Sequence, residues 1–274
     1  MKKLLVPTDF SQEAENALKV AAQLAKKHHC EILLLHLLEL PLQQIDMVNN
    51  HSELPEAMFF MKLAQQKFED LVDSDYLKGL TVQHFVEFGE SFANLSEIGK
   101  RKGANLIVMG SHGASGFKEM FIGSNAEKVV RHSDIPVLVI KNEHQNFDIK
   151  DFVFASDFKK DNKETYKQAA DLAQTFNAKI HLVMVNTASN FTTTGKAQAR
   201  IKDFIKDYPF DNYSINIYND TNVENGILNF SQDINADLIG ISTHGRQGIA
   251  HFFNGSISED LVNHAKRPVI TFKI

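Results

Sequence analysis

The sequence contains a single cysteine, Cys30, and no long apolar run. One cysteine excludes an internal disulfide and a cysteine-based zinc site, and an unpaired thiol is typical of a reducing compartment. The longest apolar stretches, such as 32–35, fall far short of the ~20 residues that a membrane-spanning helix requires. The amino terminus reaches Pro7-Thr8-Asp9 before the apolar core of a signal peptide has formed. We therefore expect a cytoplasmic protein that does not interact with membranes.

Basic residues are outnumbered, since 29 Lys and Arg stand against 34 Asp and Glu, giving a formal net charge of −5. A protein that coats nucleic acid needs a basic face, so the charge balance argues against that class. Hydrophobic residues make up 43% and charged residues 23%, as in ordinary soluble globular proteins. The 274 residues suit one large domain or two small ones.

Two common phosphate-binding signatures are missing. No G-x4-G-K-(S/T) occurs, so a P-loop with its lysine is excluded, and no G-x-G-x-x-G follows the first predicted strand, which argues against a dinucleotide dehydrogenase. Among 12 histidines the closest pair is His28-His29, whose side chains point about 100° apart on a helix and cannot easily share a metal. We assign that pair to a solvated helix end and expect no metal site. No Ser-His-Asp arrangement is legible, although sequence order alone does not exclude one.

Tryptophan is absent, whereas phenylalanine occurs 21 times. The adjacent pairs Phe59-Phe60 and Phe252-Phe253 leave two alternatives open, a surface patch or core packing, of which core packing is the commoner. Cys30 precedes an apolar strand and is interpreted as part of the core.

An internal repeat organises the chain. Residues 104–113 (ANLIVMGSHG) match 236–245 (ADLIGISTHG) at an offset of 132. The beginnings of the two copies, 6–10 (VPTDF) and 154–158 (FASDF), match at an offset of 148, so the second copy lacks 16 residues. We interpret this as a duplication.

The repeat predicts two domains, 1–141 and 151–274, joined by the short polar linker 142–150. The residues missing from the second copy correspond to the segment around Pro41–Pro55, a long connection of the kind that often forms a functional lid or is disordered.

Each copy alternates short apolar strands with segments of helical periodicity. The stretch 31–38 is almost continuously apolar, which is typical of a strand buried on both faces. Five such strands in each copy, connected through helices, predict an α/β fold with two doubly wound parallel sheets.

Glycine is concentrated where one strand ends and a helix begins. Gly110-Ser111-His112-Gly113 is followed by nine residues and then by Gly123-Ser124. Ligands dock at the carboxyl ends of parallel strands, and a helix amino terminus favours an anion. Each glycine pair taken alone is more often a turn, and a serine before a helix is often only a cap. Together they indicate a phosphate-binding loop.

This constellation resembles the universal stress protein family, whose ATP-binding members carry G-x2-G-x9-G-(S/T) and begin with a strand that runs into P-T-D. The resemblance covers both copies. It implies two five-stranded domains of the adenine nucleotide alpha hydrolase-like type, which pair through their last strands as a pseudo-dimer. It also implies ATP as the ligand, with Mg²⁺ held mainly by the phosphates. The residues implied for the first copy are Pro7, Thr8, Asp9, Leu37, Met109, Gly110, His112, Gly113, Gly123, Ser124 and Asn125.

The second copy departs from the family pattern, because Ser242 replaces the first glycine and Ala155-Ser156 replaces Pro7-Thr8. We expect the second copy to bind nucleotide weakly, differently or not at all. The residues that would contribute are Asp157, Val185, Gly245, Gly255 and Ser256. For Asp9 an alternative role stays open, that of a cap on the helix that follows.

The sequence thus predicts an ATP-binding stress-resistance or regulatory protein with at most slow hydrolysis and no catalytic residues, since no general base with an activating partner lies in the motif. A homodimer is a further expectation. The alternative is a module that binds proteins or small ligands through vestigial nucleotide sites. An ATP-dependent ligase would need a further phosphate-binding signature, which the chain lacks.

Overall fold

In the computed structural model the described residues are 1–38, 53–88, 92–111, 123–159, 162–243 and 261–274, with residues 53–56 described by their backbone alone. Within these ranges no helix is long and apolar enough to cross a membrane.

The first half alternates strands and helices in the predicted order. Its elements are β1 (Lys3–Pro7), α1 (Gln12–His28), β2 (Glu31–Leu38), α2 (Glu53–Val72), β3 (Val82–Phe88), α3 (Leu95–Lys102), β4 (Leu106–Gly110), α4 (Ser124–His132) and β5 (Val137–Ile140). Two short 3-10 turns precede β3 and α3, respectively.

The second half repeats this order. Its elements are β6 (Asp151–Ala155), α5 (Lys163–Phe176), β7 (Lys179–Asn186), α6 (Thr194–Ile205), β8 (Tyr213–Asn219), α7 (Val223–Asp233), β9 (Leu238–Thr243) and β10 (Val269–Lys273). Residues 261–264 are also helical.

All ten strands form one sheet in the order β3-β2-β1-β4-β5-β10-β9-β6-β7-β8. Neighbouring strands are parallel except β5 and β10, which are antiparallel and join the two halves. Each half therefore has the doubly wound topology predicted from the sequence, and the predicted pairing through the last strands is confirmed. Leu138 lies opposite Ile270, its own equivalent at the offset of 132, so a local two-fold axis passes between them.

The two faces of the sheet carry separate apolar cores, because successive side chains of a buried strand point to opposite faces. On one face Leu4 and Leu34 pack with helix α1, and on the other Leu5 and Leu33 pack with α3 and α4. Cys30 belongs to the first core, as the sequence indicates, and burial raises the pKa of its thiol.

Two lysines at equivalent positions fasten the halves together. The Lys141 amine donates to the carbonyl of Asn263, and the Lys273 amine donates to the carbonyl of His132 at 3.4 Å. The two lysines are equivalent at the offset of 132, and their acceptors differ by one position, because the equivalent of His132 is His264 rather than Asn263. Each half thus uses one lysine to cap the end of the other half's last helix. Cations are favoured at helix carboxyl ends by the helix dipole.

Two expectations about side chains are corrected. His28 is not fully solvated, because its ring lies 5.6 Å from that of Phe176 and burial lowers its pKa. Phe59 and Phe60 are exposed on α2, so the surface alternative holds there. Phe252 and Phe253 lie outside the described residues.

Candidate functional site

The turn that follows β1 is fixed by its own side chains. The backbone N–H of Thr8 donates to Leu35 of β2 at 2.8 Å, and the Thr8 hydroxyl accepts from the Phe10 N–H at 3.0 Å. Phe10 has a positive φ of 64°, which is uncommon for a residue with a bulky side chain. Phe158 in the second half has a φ of 53°, and there Ser156 accepts from the Phe158 N–H in the same way. The turn is therefore the same in both copies.

Asp9 does not cap helix α1, so that alternative is wrong. The cap is Ser11, whose hydroxyl accepts from the Ala14 N–H at 3.3 Å. Asp9 accepts instead from the N–H and the hydroxyl of Ser11, at 3.0 and 2.5 Å. Its carboxylate thus lies at the carboxyl end of β1, beside the first turn of α1.

An aromatic layer supports this turn from one side. The Phe10 ring lies 4.7 Å from His36 and 5.2 Å from Phe68, between ring centroids. His36 Nδ1 lies 2.7 Å from the Thr8 carbonyl, which only accepts, so Nδ1 carries the proton. This layer was not predicted from the sequence, although phenylalanine at the fifth position of both VPTDF and FASDF was a signal for it.

The residues on either side of the glycine loop are brought together. The Ser111 N–H donates to Ile140 of β5 at 3.0 Å, and the Gly123 N–H donates to the Ser111 carbonyl at 2.6 Å. Gly123 precedes α4 with extended backbone, and the helix begins at Ser124, followed by Asn125. The first N–H groups of a helix have no partner within it, so this end of α4 can accept an anion. His112 and Gly113 lie outside the described residues.

A glycine is required at position 110 by the packing of helix α1 rather than by the approach of a ligand. A Cβ added there would lie 2.6 Å from the Glu13 carbonyl oxygen and 3.2 Å from the Ala14 nitrogen. The first turn of α1 therefore packs directly on the end of β4, and only glycine allows this approach. The amino termini of α1 and α4, which cover opposite faces of the sheet, therefore both lie next to the carboxyl end of β4.

Other predicted residues contribute main chain rather than side chains to this edge. The side chains of Leu37 and Met109 are buried in the second apolar core, and Val185 occupies the same environment in the second half. Pro7 ends β1 and pairs with Leu35 in register.

In the second half the aspartate is occupied by its own neighbours. Asp157 Oδ1 accepts from the Asn162 amide at 2.7 Å and from the Lys159 N–H at 3.1 Å. The Lys159 amine lies 2.9 Å from Asp157 Oδ2. At the offset of 148 the first half has Ser11 and Ala14 in place of these two residues. Neither can reproduce the long amine and the amide that hold Asp157.

The cavity next to Asp157 is small. Its volume is about 30 Å³, and its lining includes Asp157, Val185, Asn190, Arg200 and Ile227. A space of that size holds one or two water molecules. It is far too small for a nucleoside, for which pockets of about 300 Å³ or more are usual.

A pair of hydroxyls replaces the bare glycine contact in the second half. Ser242, the equivalent of Gly110, lies 2.7 Å from Thr165 between hydroxyl oxygens, and both residues are buried. The equivalent of Thr165 in the first half is Ala17. Gly245, Gly255 and Ser256 lie outside the described residues.

Comparison with known proteins finds relatives that correspond to one half of the chain. The chain is 32% identical over 156 residues to the universal stress protein MJ0577 of Methanocaldococcus jannaschii, covering 52% of this chain and 96% of that protein. It is 31% identical to the universal stress protein YxiE of Bacillus subtilis, covering 51% and 98%. Each of these relatives therefore corresponds to about half of the chain.

A solved structure matches both halves at once. The crystal structure of a universal stress protein from Archaeoglobus fulgidus superposes with a TM-score of 0.67, covering 99% of this chain and 96% of that one at 24% identity, a likeness of fold. The model of the universal stress protein family matches residues 1–141 and 218–273, which leaves the first part of the second half unmatched. By its matched residues, the chain belongs to the universal stress protein family.

Proposed function

We propose that the first half binds ATP at the carboxyl ends of β1 and β4, and that the second half does not. The adenosine lies near Pro7, Thr8 and Asp9, and the phosphates lie against Gly123, Ser124 and Asn125. One observation supports this above all, the bond from the Gly123 N–H to the Ser111 carbonyl, which turns the start of α4 toward the end of β4. Fixed N–H groups and the helix dipole favour phosphate there.

Asp9 is held by Ser11, whereas Asp157 is held by the longer side chains of Lys159 and Asn162, and this difference supports a single site per chain. In the second half Lys159 and Asn162 already satisfy the Asp157 carboxylate, and the adjacent cavity has a volume of only about 30 Å³. A ligand at Asp157 would have to break its ion pair with Lys159 and its hydrogen bond with Asn162. Breaking these contacts would reduce the net free energy of binding.

Mg²⁺ fits this site through the ligand rather than through the protein. Hard cations prefer oxygen ligands, and a triphosphate supplies several. Within the described ranges no three His, Cys, Asp or Glu side chains are grouped in a way that could hold a metal ion. Bound Mg²⁺ neutralises part of the phosphate charge, while the chain's own residues hold and orient the nucleotide.

The protein's role is then nucleotide-dependent regulation or stress resistance in the cytoplasm, with at most slow hydrolysis. Nucleotide bound against the start of α4 changes the surface that is offered to partners. Homodimerisation belongs to the same proposal.

The experiment that tests the site is the substitution Ser124→Asp, with Ser256→Asp as the matched control in the second half. A carboxylate at the start of α4 repels phosphate but is favoured by the helix dipole, so binding falls while the fold is retained. By isothermal titration we expect one ATP per unmodified chain, loss of at least tenfold in affinity for Ser124→Asp and no change for Ser256→Asp. Two equal sites, or unchanged affinity in Ser124→Asp, would contradict the proposal.

One observation favours the alternative of an interaction module, the exposed apolar side chains of Met58, Phe59 and Met61 on α2. Contiguous exposed apolar surface commonly marks a protein contact. The two functions are separated by the small-molecule content of the freshly purified protein. Adenine nucleotide found by mass spectrometry supports ATP binding, whereas protein free of nucleotide that also fails to bind added ATP supports the module.

A further inference from the structure

Three polar side chains meet at the amino ends of the strands in the second half, on the edge of the sheet opposite to the proposed nucleotide site. His181 Nδ1 lies 2.9 Å from the Ser214 hydroxyl oxygen, and His181 Nε2 lies 2.8 Å from Asp151 Oδ1. Asp151 begins β6, His181 is on β7 and Ser214 is on β8. These are three adjacent strands, with His181 directly opposite Ser214 in register.

The direction of each hydrogen bond follows from the chemistry of the groups. An ionised carboxylate only accepts, so Asp151 holds the proton of His181 on Nε2. Nδ1 is then an acceptor, and the Ser214 hydroxyl donates to it. A hydroxyl that donates to an imidazole, whose other nitrogen donates to a carboxylate, is the arrangement of an activated serine nucleophile.

The Asn216 side chain completes the cluster. Its amide nitrogen donates to the Ser214 hydroxyl oxygen at 3.0 Å and to the Leu182 carbonyl at 3.2 Å. Both N–H groups of this amide are therefore used to hold the Ser214 hydroxyl oxygen in position against β7.

His181 and Ser214 differ in how far they are buried. The His181 side chain is 10% exposed, and its ring lies 6.5 Å from that of Phe230 on α7. Ser214 is only partly buried, because β8 is the edge strand of the sheet. The imidazole is therefore held in place, whereas Ser214 is partly exposed at the edge of the sheet.

The cluster is particular to the second half. The residues in the same sheet positions of the first half are Lys3, Leu33 and Gln83, which provide neither an imidazole nor a hydroxyl.

We propose that Ser214, His181 and Asp151 form an acyl-transfer site that hydrolyses small carboxylic esters. Ser214 Oγ attacks the ester carbonyl carbon and passes its proton to His181 Nδ1, while Asp151 stabilises the imidazolium. The tetrahedral intermediate expels the alcohol, which takes that proton, and leaves an acyl-serine. Water then attacks the acyl group by the same route, releasing the carboxylic acid and restoring Ser214.

The surface at Ser214 selects the substrate class. The nucleophile stands on an edge strand rather than in a deep pocket, so little binding energy is available to orient a large substrate. Small esters with a good leaving group are therefore the substrates that the site can turn over.

The test uses the full chain with p-nitrophenyl acetate and with a fluorophosphonate that modifies activated serines. We expect the fluorophosphonate on Ser214 by peptide mapping, and a loss of roughly 100-fold in ester hydrolysis in Ser214→Ala and in His181→Gln. Ser189→Ala is the matched control, because Ser189 is an exposed serine whose hydroxyl partner is Thr187 rather than a histidine.

The outcome does not depend on whether a variant folds. If the chain without substitutions does not react with the fluorophosphonate at Ser214, the proposal is overturned. It is also overturned if Ser214→Ala hydrolyses the ester as fast as Ser189→Ala does. The assay contains no ATP, so its result is independent of the nucleotide site.

Discussion

The backbone that packs against a position can decide which residue type fits there. Gly110 is an example, since the atom nearest to an added Cβ is the carbonyl oxygen of Glu13 at 2.6 Å. That oxygen belongs to a helix backbone and cannot move aside as a flexible side chain would. The same position in the second half holds Ser242, whose hydroxyl bonds to Thr165. The end of this strand therefore accommodates a side chain in the second half, at Ser242, but not in the first half, at Gly110.

We expect Gly110→Ala to lower the free energy of unfolding by about 1–3 kcal/mol, because the added methyl group must displace α1 from β4. Gly195→Ala is the control, since no atom lies within 4 Å of an added Cβ there and the residue lies in helix α6. That variant should be neutral or more stable by up to about 1 kcal/mol. Urea unfolding of both variants measures the difference, and equal stabilities would contradict the packing argument.

Among the helices, α2 is attached to the body of the protein by few of its residues. Ala64 and Phe68 are buried, whereas Met58, Phe59 and Met61 in its earlier turns are exposed, Phe59 by 63%. Phe68 packs edge-on against Phe10. The helix therefore gains its stability from one end of its apolar surface.

Substitutions along α2 should separate these two regions. We expect Phe59→Glu to change the free energy of unfolding by less than about 0.5 kcal/mol, because the ring contributes little buried area. Phe68→Ala should cost about 3–5 kcal/mol by leaving a cavity. Thermal or urea unfolding measures both, and a large loss in Phe59→Glu would show that the exposed turn is covered in solution.

Across the whole molecule, the local two-fold axis relates the halves in backbone but not in charge. Lys273 lies 2.6 Å from Asp134, a carboxylate whose pKa is lowered by its hydrogen bonds from Lys100 and Lys273. At the equivalent of Asp134 the second half has Lys266. Among the described residues, Lys141 has no carboxylate partner, and burial lowers its pKa to about 8. At this interface Lys273 is paired with a carboxylate, whereas Lys141 has none among the described residues.

This asymmetry predicts a pH dependence. The folded pKa of Lys141 lies below the unfolded value of 10.5, so between about 8 and 10.5 the unfolded chain binds more protons and this group makes folding more favourable as pH rises. We expect the unfolding free energy of the unmodified chain, relative to Lys141→Met, to increase over that pH window. Urea unfolding from pH 7 to pH 10.5 measures it.

Lys273→Met is the matched control at the related position. It removes a cation from Asp134, so it should lower the unfolding free energy at neutral pH. Identical pH profiles for the two variants would mean that the difference between their surroundings has no energetic effect.

The sequence by itself determined the architecture. The repeat at offsets of 132 and 148, the alternation of strands with helices and the glycine pairs depend on local patterns that each residue carries with it. Periodicity decides whether a segment is a strand or a helix, and two equal copies of one topology leave few ways to pair the last strands. The family resemblance depends on the same local motifs.

Only the tertiary structure decided which distant side chains meet. Asp151, His181 and Ser214 are separated by 30 and 33 positions, and they touch because β6, β7 and β8 are neighbouring strands. His181 lies opposite Ser214, and Asp151 lies two residues before Val153, the residue of β6 opposite His181. The occupation of Asp157 by Lys159 and Asn162 likewise depends on how the turn after β6 is folded. Hydrogen bonds and close contacts are set by distances of a few tenths of an ångström, which no pattern of residue types along a chain specifies.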